Sequence, residues 1–401
     1  MKFCLYTSEQ EENIFTRKKA KTWRRSGLIT EQQLRIMEEC TNPGVSQTNV
    51  FFRLLFFVFT CVCASAIIAF VLWLANFNNR VGEATTLIFF SITFYFLAEY
   101  LIRNRFFYRY GIEEALSIAS MTSLVIGCGL LMDNWRIDNQ LAVIIICLLL
   151  AISAFWIYLR FGFLYSILIS IIALCIIPFQ LSLPATGERL FLLFILFLIL
   201  LISLIFDKPE IADFQKEKTT IIQACLLAAI YVTINLRIFD LAKLYFRDIG
   251  INQQPYAGFP PYLYWISYLL TFLIPIGGLY WGIKSRRRMI INVSLLAAFV
   301  TLSTNKDYLG LKHSAWDPAI MGLLLIALSI LIKRWLTQGP NKTRDGFTAE
   351  NILKPESHGI NLADIGAALT PGFIESQQPV APTEKFFEGG KSGGGGSSRD
   401  F

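Results

Sequence analysis

The sequence predicts an all-α fold: a polytopic transmembrane helical bundle of about ten spans, with a short N-terminal helical pair and a flexible C-terminal tail. Three observations predict it. Of the 401 residues, 54% are hydrophobic and only 16% charged, against about 45–50% and 25% in an ordinary globular chain. The apolar residues come in blocks: residues 54–76, 144–158 and 190–206 hold no formal charge, and a run of about 18 or more apolar residues reads as a membrane-spanning helix. Finally, the basic residues segregate between alternate loops, as they do when charge orients helices in a bilayer. A soluble enzyme, a secreted disulfide scaffold and a nucleic-acid-binding domain are all disfavoured.

The elements follow in order. Residues 1–50 are polar, so no cleavable signal peptide is expected, because a secretory signal places its apolar core within about the first 30 residues. They read as a cytoplasmic helical hairpin. Residues 11–25 form a helix that is strongly basic at its end (Arg17, Lys18, Lys19, Lys21, Arg24, Arg25), and Gly27 breaks it, as a C-terminal cap does. A second helix starts at Thr30, with Gln33 at capping-box spacing, and runs to about Cys40 before Pro43 and Gly44 end the unit. This pair suits a docking module, or a basic helix held on anionic lipid at roughly 1 kcal/mol per basic residue near the surface. A plain topogenic charge cluster is the simpler reading.

The bundle, residues 51–338, divides into spans at about 54–76, 84–102, 112–132, 140–158, 161–181, 190–206, 219–237, 262–283, 289–304 and 318–336. The ninth is the weakest, because Thr301, Ser303 and Thr304 make its end polar. With both termini cytoplasmic, 28 of the 36 Lys+Arg fall on the cytoplasmic side and 8 outside. Of the 29 acidic residues, 21 fall inside and 8 outside, so the whole formal excess of +7 lies on one face. A missed span would scramble this alternation.

One outer segment is sizeable, residues 238–261. Its interleaved aromatic and charged residues suit a short interfacial helix, with Trp265 at belt depth. Residues 339–401 read as a cytoplasmic tail, Gly/Ser-rich at the end and flexible.

Candidate chemistry is sparse. Two histidines, His313 and His358, exclude histidine-rich metal chemistry, and the eight cysteines sit mostly within spans, where they serve as small packing residues. No metal site, cofactor or catalytic set is expected, and no phosphate loop, nucleophile elbow or zinc helix appears. Intramembrane ionisable and polar groups carry most weight, because they are expensive and usually functional. Glu99 has Arg103 at i+4, a local ion pair. Glu113 and Glu114 open the third span, where a helix N-terminus favours anions. Gln223, Asn235 and Arg237 lie on span seven, the last two near its outer end. Span eight carries Pro275, Gly277, Gly278 and Gly282. A Pro–Gly interruption can be the broken element of a transport site, although Gly278 and Gly282 also have the small-xxx-small spacing of close helix packing. The densest polar cluster, Asn305, Asp307, His313 and Asp317, falls at the outer mouth between spans nine and ten; Asp317 before Pro318 reads as an N-cap followed by Pro at the first helical position.

The N-terminal run Trp23-Arg-Arg-Ser-Gly27-Leu28-Ile29-Thr30-Glu-Gln32-Gln33, a helix pair opening onto a many-span bundle, resembles uncharacterised bacterial multi-pass "predicted membrane protein" families, domains of unknown function. The segment from Asn305 through Asp317 and Pro318, with the Gly-rich tail, is similar to bacterial hypothetical membrane proteins. The resemblance implies a bacterial inner membrane and carries over no catalytic residue. The expected role is therefore a non-enzymatic structural or accessory component. Its expected partners are the lipid bilayer, anionic lipid at the basic helix and a protein partner at the cytoplasmic tails, with no nucleic acid. The alternative is a transporter, or a lipid or small-molecule handling protein, using the span-eight Pro/Gly break.

Overall fold

A computed structural model describes residues 4–25, 27–76, 79–207, 213–238, 260–311, 314, 316–339, 343–344 and 347–348. Among these, the chain forms twelve α-helices: α1 (Ser8–Arg25), α2 (Glu31–Cys40), α3 (Val50–Ala75), α4 (Arg80–Arg105), α5 (Ile112–Asn134), α6 (Asn139–Phe161), α7 (Leu164–Ile176, continued by a 3-10 turn, Ile177–Gln180), α8 (Ala185–Ile205), α9 (Asp213–Ile234), α10 (Pro261–Ser285), α11 (Arg288–Tyr308) and α12 (Asp317–Thr337). A two-residue antiparallel pair follows, with Thr343 opposite Thr348 and Arg344 opposite Phe347. The proposed interfacial helix in 239–259, His313 and the tail beyond 348 lie outside the described residues.

Each predicted span coincides with a helix from α3 to α12, and eight of these are long and apolar enough to cross a membrane. Their outward surfaces match that use. Trp73, Ile205 and Leu323 expose 75%, 71% and 71% of their surface, on a scale that would drive a soluble chain to aggregate. This is a multi-pass membrane protein.

Local sequence explains the boundaries. Thr30 and Gln33 complete the capping box: the Gln33 N–H donates to Thr30 Oγ1 at 3.3 Å and the Thr30 N–H to Gln33 Oε1 at 2.8 Å. Gly27, at φ +73°, lets the Leu28 N–H reach back to the Trp23 carbonyl at 2.9 Å, closing α1. Asn79 caps α4 by accepting from the Gly82 N–H at 3.0 Å, and Asp138 caps α6 by accepting from the Gln140 N–H at 3.1 Å.

Connecting contacts sort the helix termini into two ends. The proximal end holds the starts of α3, α5, α7, α9 and α11, together with α1; the distal end holds their other termini. Even the short α7 joins the two. Tyr165, at its start, donates to the Glu114 carbonyl at 3.4 Å, and Ser182, just past the 3-10 turn, donates to Gln140 at 3.0 Å. Thirteen α residues and four 3-10 residues rise about 27 Å, close to a bilayer core of about 30 Å.

Two helix pairs pack closely through small residues. On α4, Ala84, Leu87, Ser91, Phe94 and Ala98 form a buried stripe against α5, where Ser120 donates to the Ser91 carbonyl at 2.8 Å. The second is α10 on α11. A Cβ at Gly278 would come 2.3 Å from Ser294 Oγ, and one at Gly282 2.7 Å from Ile291. Span eight is not interrupted: α10 is helical throughout, with Pro275 buried inside it. The small residues there serve packing, the lipid-phase substitute for a hydrophobic drive. The polar end predicted for span nine is likewise helical to Tyr308, because Thr301 and Thr304 are buried and bonded within the bundle.

Candidate functional site: two polar ends and an amphiphilic cleft

At the proximal end, charged residues pair across helices. Arg53 of α3 grips Glu114 of α5 with two donors, Nε reaching Oε2 at 2.8 Å. Glu99 at the end of α4 pairs with Arg160 of α6. The local Glu99–Arg103 pair expected from spacing is thus replaced by a longer-range one, because Arg160 comes alongside at the same depth. Glu113 is fully buried, and its Oε1 accepts from the Tyr110 N–H at 2.6 Å. Arg287, just before α11, binds both Asp207, after α8, and Gln223 of α9. Gln223 closes the triangle by donating to Asp207 at 3.3 Å. These pairs tie α3 to α5, α4 to α6, and α8 to α9 and α11.

The N-terminal segment lies across this end. The Leu5 N–H donates to the Arg160 carbonyl at 2.9 Å, and the Tyr6 hydroxyl to the Phe107 carbonyl at 2.9 Å. The Tyr6 ring meets Tyr108 edge-on at 4.9 Å. Lys218 of α9 donates to Glu11 of α1 at 2.6 Å. Burial pushes the Cys4 thiol up from its ordinary value and raises the Tyr6 and Tyr108 phenols too, since the charged forms lose their hydration. On the far side of α1, Lys21 pairs with Glu38 at 3.4 Å, Arg24 with Glu31 at 2.9 Å, and Arg17 with the Glu38 carbonyl. Much of the basic cluster therefore holds α2.

Beneath α1 opens a cleft of about 240 Å³. Its apolar wall is Ile14, Phe15, Leu164, Phe214 and Ile221; its charged lining is Lys18, Arg109, Lys218, Glu11 and Glu217.

The distal end carries a network of amides and hydroxyls between α9, α10 and α11, with Arg237 as its charged member. Asn235, fully buried, donates to Tyr231 and to Thr304, both at 3.1 Å, and accepts from the Arg237 N–H at 3.1 Å. Tyr231 meets Thr301 at 2.9 Å, whose hydroxyl donates to the Thr271 carbonyl at 2.7 Å. The Tyr308 hydroxyl accepts from the Leu236 N–H at 2.7 Å. Arg237 donates to the Tyr264 hydroxyl at 2.9 Å. Tyr268 donates to Asn305 at 2.7 Å. Lys306 reaches Asp317 at 2.6 Å, and Asp317 accepts from the Ser314 N–H at 2.9 Å, so Asp317 anchors the turn into α12.

The predicted site residues are therefore divided. Asn235, Arg237 and Asn305 join one distal network, and Asp317 lies beside it. Gln223 and Glu99 are at the proximal end, with Gln223 about 18 Å from Asn235 along α9 at 1.5 Å per residue. Pro275 and Gly278 lie on the α10–α11 contact side. Asp307 is engaged within the protein. Sequence reasoning missed Arg53, Asp207 and Arg287 as pairing residues, and Tyr231 and Tyr264 as network members. A signal was present: Thr301, Thr304 and Tyr308 recur at helical spacing, and so do Tyr231 and Asn235. No protein-family model, no curated protein and no solved structure matches this chain.

Proposed function

We propose that this protein is a structural or accessory component of a bacterial inner membrane, non-enzymatic, with both termini and the proximal end in the cytoplasm. The observation that carries the reading is the intramolecular commitment of its polar residues. Gln223, Asn235, Arg237 and Glu99 each hold one helix to another, and a bundle stitched at both ends is a platform. The α1–α2 pair, fastened to that platform, turns Arg25, Arg35 and Glu39 outward, where a protein partner has access. A positive face toward the cytoplasm is the arrangement favoured by charge-directed insertion. The alternative, transport through a break in span eight, loses its structural element, because α10 is continuous through Pro275.

Affinity capture tests this. The intact protein and a variant with Arg25, Arg35 and Glu39 replaced by Ser are compared under crosslinking. The reading expects a partner captured by the first and lost from the second; identical partner sets would sink it.

A further inference from the structure

The cleft beneath α1 has a feature the platform role does not use. Its position is interfacial. Leu164 is the first residue of α7, while Phe214, Glu217, Lys218 and Ile221 occupy the first turns of α9. The cleft thus sits where the spanning helices meet water, at headgroup depth. Its wall is apolar, and α7 and α9, which contribute to it, expose Ile172, Ile176 and Val232 further along. Its charge is weighted positive, three cations against two carboxylates. The Glu11 carboxylate is taken by Lys218 at 2.6 Å, and Glu217 is exposed at the rim. Lys18 and Arg109 have no carboxylate partner among the described residues. The Arg109 guanidinium stands 5.6 Å from the Tyr108 ring, on a left-handed backbone at φ +51° that a non-glycine residue adopts only at some strain. The space of about 240 Å³ falls below the roughly 300–1,000 Å³ of a site that encloses a drug-sized ligand. It suits a headgroup whose tails stay outside.

We propose that this cleft binds the phosphate-bearing headgroup of an anionic phospholipid, with Lys18 and Arg109 contacting the phosphate. The acyl chains then lie along the apolar wall and the adjoining faces of α7 and α9. Two cations from different segments converging on one acceptor give the site charge selectivity, since each contributes when it is near a membrane surface. The apolar wall favours an amphiphile over a free anion. The binding rests on the membrane reading above but not on the orientation proposed there.

Native mass spectrometry of the full chain tests it. The protein is purified from nanodiscs of phosphatidylcholine alone or mixed equally with phosphatidylglycerol, which have no inside or outside. The proposal expects one phosphatidylglycerol retained per protein in preference to phosphatidylcholine. The K18Q/R109Q double variant should lower that retention about tenfold, while R25Q, outside the cleft, leaves it unchanged. Inorganic phosphate at millimolar concentration should not displace the lipid. An unchanged unfolding midpoint in the double variant separates loss of binding from loss of fold. Equal retention of the two lipids, or retention unaltered in the double variant, or displacement by phosphate, overturns the proposal. If the double variant unfolds early, K18Q and R109Q singly decide the matter by the same lipid ratio.

Discussion

Glu11 and Lys218, 207 positions apart in the chain, meet at 2.6 Å with only 10% and 18% of their side chains exposed. The same N-terminal segment reaches Arg160 and Phe107 through Leu5 and Tyr6. One short stretch, ending at the first turn of α1, therefore ties the α3–α6 part of the bundle to α9. The helix pair is an integral part of the proximal end.

Removing Lys218 leaves Glu11 buried without its counter-charge, which is strongly destabilising for a pair this shielded. Lys218→Ala is expected to lower stability by about 3 kcal/mol. Glu11→Ala/Lys218→Ala should lose less than the two single variants combined. Unfolding midpoints in a mild detergent check this, and strict additivity would show that the pair is not coupled.

The docked segment should also protect its own side chains. The Cys4 thiol and the Tyr6 phenol are pushed up by burial, the tyrosine well above its ordinary 10.0. A raised folded value adds stability that is complete below the unfolded value and is lost as pH rises through the folded one. Docking of the segment should thus hold up to about pH 9, weaken above it as the thiol's share is lost and further above about pH 10 as the phenol's is, and Tyr6→Phe should remove the tyrosine part of that dependence. At pH 7.5, maleimide should react with Cys4 several-fold more slowly than with exposed Cys40, and Lys218→Ala should narrow the gap. Equal rates in the native protein would mean the segment is not docked.

Asn235 is the hub of the distal network. Asn235→Leu removes the donor for Tyr231 and Thr304 and the acceptor for the Arg237 N–H. Leaving such buried groups unsatisfied costs about 1–3 kcal/mol each, partly relieved by relaxation. We expect a loss of about 2 kcal/mol, and non-additivity with Thr304→Val but additivity with Gln223→Leu at the other end. Thermal unfolding of the three single and two double variants checks both parts.

The two neighbouring glycines of α10 should behave oppositely. A Cβ at Gly278 would lie 2.3 Å from Ser294 Oγ and 3.1 Å from Leu227 Cδ2, while one at Gly277 meets nothing within 4 Å. Gly278→Ala is expected to destabilise by about 1–3 kcal/mol, with partial recovery on adding Ser294→Ala. Gly277→Ala should be neutral or slightly stabilising, as Ala is the better helix former. Equal effects at the two positions would contradict the close α10–α11 contact.

The bundle was legible because a bilayer makes its demands through composition and length. All ten predicted spans coincide with helices, and Gly27, Thr30 and Gln33 marked the end of one helix and the start of the next by their local chemistry. Pairing was not legible in the same way. Glu99 has a plausible partner at i+4 in Arg103, yet the fold brings Arg160 beside it from 61 residues away. Local spacing sees only neighbours on one helix, whereas a low-dielectric interface rewards whichever opposite charge arrives at the same depth. Pro275 allowed two readings, a transport break or close packing, for a related reason. Proline removes one backbone donor, but a helix in lipid tolerates this where neighbours pack closely, and α10 stays helical through Pro275 with Gly278 and Gly282 against α11.

In the proposed function the proximal and distal ends lie on opposite sides of one membrane, with α1 and α2 on the cytoplasmic side. Cysteine labelling in intact cells tests this directly, using native Cys40 as the proximal probe and Asn139→Cys, exposed at the start of α6, as the distal one. A membrane-impermeant maleimide should modify position 139 in intact spheroplasts and Cys40 only after permeabilisation. Modification of both positions from the same side, or of Cys40 alone in intact cells, would contradict it.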